Sequence, residues 1–386
     1  MAKYKLGDIC EIVSGSTPKT SIDEYWDGDV KWITPAELND DSYIISDSAR
    51  KITELAVKKT GLTSFPEGTV ILSSRAPIGK VAIAGCEMYC NQGFKNLICS
   101  DKIINKYLYW FLKRNIHFLN SLGRGATFKE ISKAIVSEIE INVPEIEQQK
   151  KVVEILEKVS GIIARRKKEL SALDDLIKAR FVEMFGDLMI NDKEWQQAKI
   201  SDICVEIVDC INKTAPTVEY ETEYKMLRTT NVKNGDVNIT EVKYVKREEF
   251  EKWTRRSVPR NGDVLLTREA PMGQVGILQG VKNDVFLGQR LVSYRCNFVK
   301  MNSVFLTYQM MSKYFQNQIE KTGKGSTVKH IPVPVCTEFE VFVPPIELQK
   351  QFAGFVKQVN KSKVAVQKAL DETQKLFDSL MQQYFG

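Results

Sequence analysis

An internal repeat constrains this chain more than any other feature of its sequence. Lys5–Cys10 (KLGDIC) returns as Lys199–Cys204 (KISDIC), a shift of 194 positions. Farther along, residues 123–186 align without a gap with residues 323–386, a shift of 200, and 19 of the 64 aligned positions are identical. A repeat of this kind is one structural unit used twice, so the sequence predicts two copies of the same arrangement.

Each copy has the same order of predicted elements. Short β-rich runs broken by turns come first, for example Val81–Ala84 and Val275–Leu278. Apolar residues at helical spacing then predict a helix at Asn105–Leu119 and another at Ser303–Ile319. A much longer helix closes each copy, and the predicted fold class is therefore α+β.

The closing helices are predicted to start after prolines, at Pro144 and at Pro344. Their apolar residues follow a heptad pattern, and so narrow a stripe on a helix of about 35 residues, roughly 50 Å long, needs a partner helix. We expect the two helices to pair antiparallel with each other and to separate two globular domains related by a pseudo-twofold axis. The seam of this pair is predicted to consist of Leu156, Val159, Ile163, Leu170, Leu173, Ile177, Val356, Val359, Val366, Leu370, Phe377 and Leu380.

The repeat also sets the predicted domain limits. The chain is divided into a first globular domain at 1–148, a first long helix at 149–186, a second globular domain at 187–345 and a second long helix at 346–386.

Composition narrows the class of protein. With 55 Lys and Arg against 49 Asp and Glu, the net charge of +6 suits a polyanionic partner such as nucleic acid. No run approaches the roughly 18 apolar residues of a membrane span, so a cytoplasmic protein that contacts no membrane is expected. The eight cysteines lack an export signal ahead of them and are interpreted as free buried thiols, with no metal site.

Motifs that would indicate an enzyme are absent from the sequence. It has no GxxxxGK[ST] phosphate loop, no HExxH and no GxSxG. Pro344 and Pro345 lack the preceding Asn or Asp of an amino-methyltransferase motif, and only two histidines, His117 and His330, could serve acid–base chemistry. We expect no catalytic residue and no cofactor in this chain.

Several stretches carry a resemblance to a known family. They are Ser14–Pro18 (SGSTP), Glu24–Pro35 (EYWDGDVKWITP), Ile71–Gly79 (ILSSRAPIG), Leu227–Lys233 (LRTTNVK), Leu287–Arg290 (LGQR) and the matching Pro144–Lys150 and Pro344–Lys350 stretches. With these motifs and its duplicated order, the chain resembles the specificity subunits of type I restriction-modification systems over essentially its full length.

The resemblance implies both a function and a set of partners. Each globular domain would be a target-recognition domain that reads one half of a bipartite double-stranded DNA site, and the long helices would fix the spacer between the halves. Two modification subunits would bind S-adenosylmethionine and methylate adenine. Restriction subunits that use ATP and Mg would join them for cleavage.

Candidate DNA contacts are polar and basic side chains beside turns. Arg and Gln can reach base edges in the major groove, and basic residues in Gly-rich loops suit phosphates. The alternative for each is a solvated charge on a surface turn. The repeat places Arg75 opposite Glu269 and Arg268 opposite Ser74, so the copies differ here. The candidates are Thr17, Lys19, Arg75, Lys80, Asn91, Gln92, Arg124, Lys129, Lys213, Arg228, Arg268, Gln274, Gln289, Arg290, Lys324 and Lys329.

Two other hypotheses fit parts of the pattern. A structural adaptor could use the same duplicated architecture to hold two protein partners without reading bases, and sequence-specific duplex binding would separate it from a specificity subunit. A free-standing modification enzyme would need a cofactor motif that the sequence does not contain.

Overall fold

The chain forms two compact units in a computed structural model that describes residues 2–125, 129–211, 213–322 and 330–386. Unit 1 comprises Met1–Lys167 and Lys368–Gly386, and unit 2 comprises Lys168–Gln367. The architecture is α+β, as predicted, and each unit contains one copy of the repeated β-rich region. Each unit also contains one half of each long helix.

The elements of the first copy begin with a short strand and end with the first long helix. Its strands are β1 (Ala2–Lys5), β2 (Cys10–Ser14), β3 (Trp26–Ile33), β4 (Ile44–Ile45), β5 (Lys51–Ile52), β6 (Val70–Ser73), β7 (Val81–Ala84), β8 (Tyr89–Cys90), β9 (Phe94–Cys99) and β10 (Glu140–Val143). Its helices are α1 (Leu6–Ile9), α2 (Glu54–Thr60), α3 (Asn105–Arg114), α4 (Ile116–Ser121), α5 (Lys133–Ser137) and α6 (Ile146–Phe185).

The second copy repeats this order. Its strands are β11 (Gln197–Lys199), β12 (Cys204–Asp209), β13 (Tyr224–Leu227), β14 (Val232–Lys233), β15 (Gly235–Val237), β16 (Lys243–Val245), β17 (Val264–Thr267), β18 (Val275–Ile277), β19 (Val285–Leu287), β20 (Leu291–Cys296) and β21 (Glu340–Phe342). Its helices are α7 (Ile200–Ile203), α8 (Arg247–Trp253), α9 (Ser303–Met311), α10 (Lys313–Thr322), α11 (Val333–Glu338) and α12 (Ile346–Phe385).

The sheets of the two units correspond strand for strand at their centre. Unit 1 has a five-stranded sheet in the order β2-β9-β6-β7-β4, and unit 2 has a six-stranded sheet in the order β12-β20-β17-β18-β15-β14. Three-stranded sheets, β5-β3-β8 and β16-β13-β19, accompany them. Strands β1 and β10, and likewise β11 and β21, close each unit as antiparallel pairs. The repeat seen in the sequence is therefore a repeat of backbone topology.

The central strand of each large sheet is buried on both faces. In β6, Val70 and Leu72 belong to the main core of unit 1 together with Leu108 of α3, while Ile71 faces a second core that contains Phe65. Side chains of a strand alternate between its two faces, so the apolar run VIL supplies both cores. In unit 2, β17 divides its residues between two cores in the same way.

The helix predicted at Asn105–Leu119 is two helices. It breaks at Asn115, whose side-chain amide donates to the carbonyl of Phe111 at 2.9 Å. The helix predicted at Ser303–Ile319 also divides, because Ser312 adopts an extended backbone with φ −67° and ψ 155°. Heptad or helical spacing of apolar residues does not reveal such breaks, since it continues across them.

Both long helices span 40 residues, and they begin at Ile146 and Ile346. The predicted domain limits remain predictions. The residues of the predicted helix seam are all buried or half-buried. In unit 1, Leu156 of α6 and Met381 of α12 share one core. In unit 2, Ile177 of α6 and Val356 of α12 share another. The start of each long helix thus packs with the end of the other, which is an antiparallel pairing within each unit.

A buried glutamine explains part of the motif repeated at the start of the long helices. Gln149 is fully buried, its Oε1 accepts from the Ile104 N–H at 2.8 Å, and its Nε2 donates to the carbonyls of Lys102 and Pro144 at 2.9 and 2.8 Å. Gln349 makes the corresponding three bonds in unit 2. Each glutamine ties its helix start to a neighbouring loop, so this part of the motif serves the fold.

The cysteines are all free. Five of them are buried and three, Cys86, Cys99 and Cys204, are half-buried, which corrects the expectation that all lie in the core. Cys10 lies opposite Cys99 across β2 and β9, and Cys204 lies opposite Cys296 across β12 and β20. In the part of the chain that the structure describes, no three potential ligands gather to hold a metal ion. No helix in that part is long and apolar enough to cross a membrane.

Candidate nucleic-acid interface

Three loops meet at one end of the sheets of unit 1. They are the turn around Pro35–Glu37 after β3, the loop 74–80 between β6 and β7, and the loop 91–93 between β8 and β9. Together they surround an open cavity of about 390 Å³. Its lining consists of Thr34, Pro35, Ala36, Arg75, Ala76, Pro77, Lys80, Asn91 and Gly93. Three of the predicted candidates, Arg75, Lys80 and Asn91, are therefore neighbours in space.

The corresponding three loops of unit 2 also surround a cavity. It has a volume of about 290 Å³ and is formed by the turn at Thr229–Asn231, the loop 268–274 and the loop 288–290. Its lining consists of Thr214, Met226, Arg228, Thr229, Glu269, Ala270, Gln289 and Arg290. The structure thus also brings the candidates Arg228, Gln289 and Arg290 together.

Matching backbone hydrogen bonds show that the two cavities are equivalent. The Ser74 N–H donates to the Gly93 carbonyl at 2.7 Å, and the Arg268 N–H donates to the Arg290 carbonyl at 2.8 Å. The carbonyls of Ser74 and Arg268 in turn accept from Ile131 and Ile331, at 2.8 and 2.9 Å. A shared main-chain framework therefore presents different side chains in the two units.

In unit 1 the candidate Lys80 points back into the protein. Its ammonium donates to the carbonyl of Pro35 at 3.2 Å and to that of Leu38 at 2.5 Å. These charge-assisted bonds hold the turn after β3 against the loop that follows β6. In this conformation Lys80 positions a loop of the candidate interface.

A buried lysine and a glutamate fix the candidate Arg75. Its Nε donates to Glu130 at 2.9 Å, and the same carboxylate contacts Lys95 at 3.3 Å. Lys95 is only 6% exposed and also donates to the Ser74 hydroxyl at 3.3 Å. Partial burial opposes ionisation of Glu130, but the bonds from Arg75 and Lys95 outweigh it and lower its pKa. The Arg75 guanidinium is thereby held at the cavity rim at neutral pH.

The remaining candidates of unit 1 near this cavity lie at the surface. Gln92 is exposed and accepts a hydrogen bond from the Thr17 hydroxyl, which joins the loop 91–93 to the strand end at Ser14. Lys19 is exposed as well. Asn91 uses its side-chain oxygen to accept from the Gly93 N–H at 2.9 Å, which shapes the loop. Asn91 lines the cavity and Gln92 is exposed beside it, so a ligand can reach both side chains of this loop.

In unit 2, the candidate Arg268 is buried. It is 6% exposed, and its Nε donates to the carbonyl of Ile331 at 2.7 Å. Arg268 therefore serves as an internal cation that joins the loop 268–274 to Ile331, and it is not open to a ligand. Gln274 is half-buried and Lys213 is exposed beside the cavity-lining Thr214.

The predicted phosphate contacts divide between described and undescribed residues. Arg124 and Lys129 are exposed, and the backbone of Arg124 forms two hydrogen bonds with Glu130, at 3.0 and 2.9 Å. The backbone pairing of Arg124 with Glu130 thus lies next to the carboxylate that holds Arg75. Lys324 and Lys329 lie outside the described residues.

Two acidic side chains of these sites were not among the sequence candidates. Glu130 holds Arg75, and Glu269 forms an ion pair with Arg290. The repeat alignment contained a signal for the second, because it places Glu269 opposite Arg75. One copy of this loop thus has a basic residue where the other has an acidic one. This difference indicates that the two loops contact different chemical groups. No such signal marks Glu130, which lies opposite His330.

We predict that Lys80→Gln, which introduces the residue that unit 2 has at Gln274, loosens the turn after β3. The loss of two charge-assisted bonds is expected to lower the local opening free energy by about 2 kcal/mol. Amide hydrogen exchange over residues 34–42 measures this effect, with the exposed Lys58→Gln in α2 as the matched control. Unchanged exchange in Lys80→Gln would show that the ammonium does not hold the turn.

The chain belongs to a known family of DNA-specificity proteins. The family model described as "Type I restriction modification DNA specificity domain" matches twice, at residues 1–173 and 192–373. These proteins give DNA specificity to a restriction-modification complex and are not catalytic, since catalysis resides in partner subunits. The resemblance found in the sequence is confirmed.

Related chains share both the sequence and the fold. The MjaIX specificity subunit of Methanocaldococcus jannaschii is 28% identical over 98% of this chain and 90% of its own, and the MjaVIII subunit of the same organism is 25% identical over 92% and 85%. Among solved structures, the S subunit from M. genitalium has a TM-score of 0.61 at 13% identity, covering 100% of this chain and 96% of its own. This likeness shows a common fold.

Proposed function

We propose that this chain binds double-stranded DNA sequence-specifically through the two three-loop cavities. The observation that carries the proposal is that one backbone framework occurs in both units and presents different polar side chains in each. In unit 1, Arg75 and Asn91 line the cavity and exposed Gln92 lies beside it, whereas Arg228, Gln289 and Arg290 line the cavity of unit 2. Different side chains on equal frameworks suit the reading of two different sequences, and Arg and Gln are the usual readers of guanine and adenine.

The target is proposed to be bipartite, with one half-site for each unit and a non-specific spacer between them. Two modification subunits that bind S-adenosylmethionine would methylate adenine in this target, and restriction subunits that use ATP and Mg would cleave unmodified DNA. This chain would contribute no cofactor site and no reacting group. A cytoplasmic location follows from such a role, because the DNA and the partner subunits are there.

Co-expression with the modification subunit, followed by sequencing for methylated adenines, tests the proposal. The expected result is a split motif of two short defined blocks around an undefined spacer. The proposal fails if no adenine is methylated and the chain shows no sequence preference in a duplex-binding assay at stated salt. That outcome would favour a structural adaptor.

Phosphate contacts are proposed for Arg124 and Lys129, which are exposed next to Glu130, the residue that holds Arg75 at the unit 1 cavity. Replacing both with alanine is expected to weaken binding of every duplex equally and to reduce the salt dependence, with a log–log slope smaller by roughly 1.8. Titrations of a target and an unrelated duplex at several salt concentrations measure it. An affinity loss confined to the target would instead place these residues at bases.

A further inference from the structure

The loop 288–290 of unit 2 contains a residue in a costly backbone conformation. Arg290 has φ +68°, in the left-handed region that non-glycine residues seldom adopt. Its N–H donates to the sulfur of Cys210 at 3.0 Å, and its carbonyl accepts from the Arg268 N–H at 2.8 Å. The corresponding residue of unit 1 is Gly93. Strain of this kind persists where the surrounding structure enforces it, and it concentrates at functional positions.

The guanidinium of Arg290 is held from one side. Its Nε contacts the carboxylate of Glu269, which lies on the neighbouring loop of the same cavity. The two side chains are 34% and 24% exposed, so the pair is partly shielded from water but open to a ligand. An arginine bound through Nε keeps its two terminal nitrogens as a pair of donors.

The rest of the cavity adds polar groups around this pair. Gln289 is exposed next to Arg290, and Arg228 lines the cavity from the opposite loop. The Nε of Arg228 is buried and has no hydrogen-bond partner among the described residues. Arg228 therefore adds a second arginine to the cavity that holds Arg290.

We propose that Arg290 reads a guanine in the half-site bound by unit 2 and that Glu269 is the residue that positions it. The two terminal nitrogens match the O6 and N7 acceptors of guanine in the major groove, which no other base edge presents together. Unit 1 has Arg75 where unit 2 has Glu269, and Gly93 where unit 2 has Arg290, so it reads this position differently. This inference rests on the proposed function.

Arg290→Gly separates recognition from folding. Glycine adopts positive φ freely, so the release of backbone strain offsets the larger entropy of the unfolded chain, and thermal unfolding is expected to stay close to that of the wild type. The variant nevertheless removes the guanidinium. Discrimination for the guanine is expected to fall roughly 5- to 150-fold, the contribution of one bidentate base contact.

The complex with the modification subunit is the material for the test, and the methylated motif is the readout. In Arg290→Gly, one guanine of one half-site should become degenerate while the other half-site is retained. Arg290→Lys should behave in the same way, since an ammonium cannot supply two fixed donors. Glu269→Gln should weaken discrimination at that same base pair and leave the rest of the methylated motif as it is in the wild type. Gln92→Ala in unit 1 should alter the opposite half-site.

Failure of the proposed function and failure of the role of Arg290 give different results in this test. A wild-type complex that yields no split motif overturns the proposed function before any variant is compared. A split motif that stays unchanged in Arg290→Gly overturns the role of Arg290 alone. The inference also fails if Arg290→Gly and Gln92→Ala alter the same half-site, or if the lost base is not guanine. A motif change elsewhere in Glu269→Gln overturns its positioning role.

Discussion

Asp263→Ala is expected to destabilise unit 2 by about 3 to 5 kcal/mol, the usual cost of removing one partner from a buried ion pair. The Asp263 side chain is 3% exposed. It accepts from Nε and Nη2 of Arg295 at 3.0 and 2.8 Å. Arg295 is 18% exposed and also contacts Glu206. Without Asp263, a largely buried guanidinium keeps only one carboxylate, so its desolvation is poorly compensated.

The repeat provides a matched rescue for this variant. Thr69 and Ile98 of unit 1 occupy the positions of Asp263 and Arg295, on strands paired in the same register. The double variant Asp263→Thr/Arg295→Ile removes both charges together and is expected to lie within about 1.5 kcal/mol of the wild type, since replacing a whole buried pair is far less costly than breaking it. Because the protein has two units, hydrogen exchange in β17 and β20 is the appropriate measurement. A single variant as stable as the double variant would show that the pair has no such role.

Gln149→Leu is expected to cost about 3 kcal/mol, since it leaves one N–H and two carbonyls without their partner in a buried site. The leucine also cannot join the start of α6 to the loop that precedes α3. Exposed Gln148, the next residue, provides the control. The second copy has Leu348 at the position of Gln148, so Gln148→Leu is expected to be nearly neutral.

Chemical denaturation followed by hydrogen exchange in unit 1 distinguishes these variants. Gln149→Leu should open the helix start and the segment around Ile104 at lower denaturant, and Gln148→Leu should match the wild type. Equal behaviour of the two variants would show that the three hydrogen bonds of Gln149 do not stabilise the start of α6. The result bears on function because Gln149 in unit 1 and Gln349 in unit 2 each join the β-rich region to the start of a long helix.

The duplicated framework could be predicted because aligning the two copies of the repeat shows which backbone positions correspond. Turns such as Ala76–Pro77 and Ala270–Pro271 return at a constant shift, and the hydrogen bonds around them return with them. The burial of the seam positions could be predicted for a similar reason, since the spacing of apolar residues on a helix reflects which face is buried. The ends of the helices could be predicted less well. The break at Asn115 coincides with a side-chain hydrogen bond to Phe111, which the spacing of apolar residues does not reveal.

The direction of a basic side chain could not be predicted in the same way. Arg75, Lys80 and Arg268 look alike in the sequence, because each is a cation beside an Ala-Pro turn. In the structure Arg75 reaches the cavity rim, Lys80 binds two carbonyls and Arg268 is buried. Their partners come from distant segments, such as Glu130, 55 residues after Arg75. Burial and pairing of a charge are tertiary properties, which local residue type does not determine.

The division of the units has a consequence for the order in which they can be completed during synthesis. Unit 2 is one uninterrupted stretch, Lys168–Gln367, whereas unit 1 needs Lys368–Gly386 as well. Met381 belongs to the same core as Leu156 and leaves the ribosome roughly 10 to 45 s after it, at ordinary translation rates. Unit 1 begins first in translation but completes its core last. Until the end of α12 has been made, the apolar surface of α6 in unit 1 lacks the helix that it packs against.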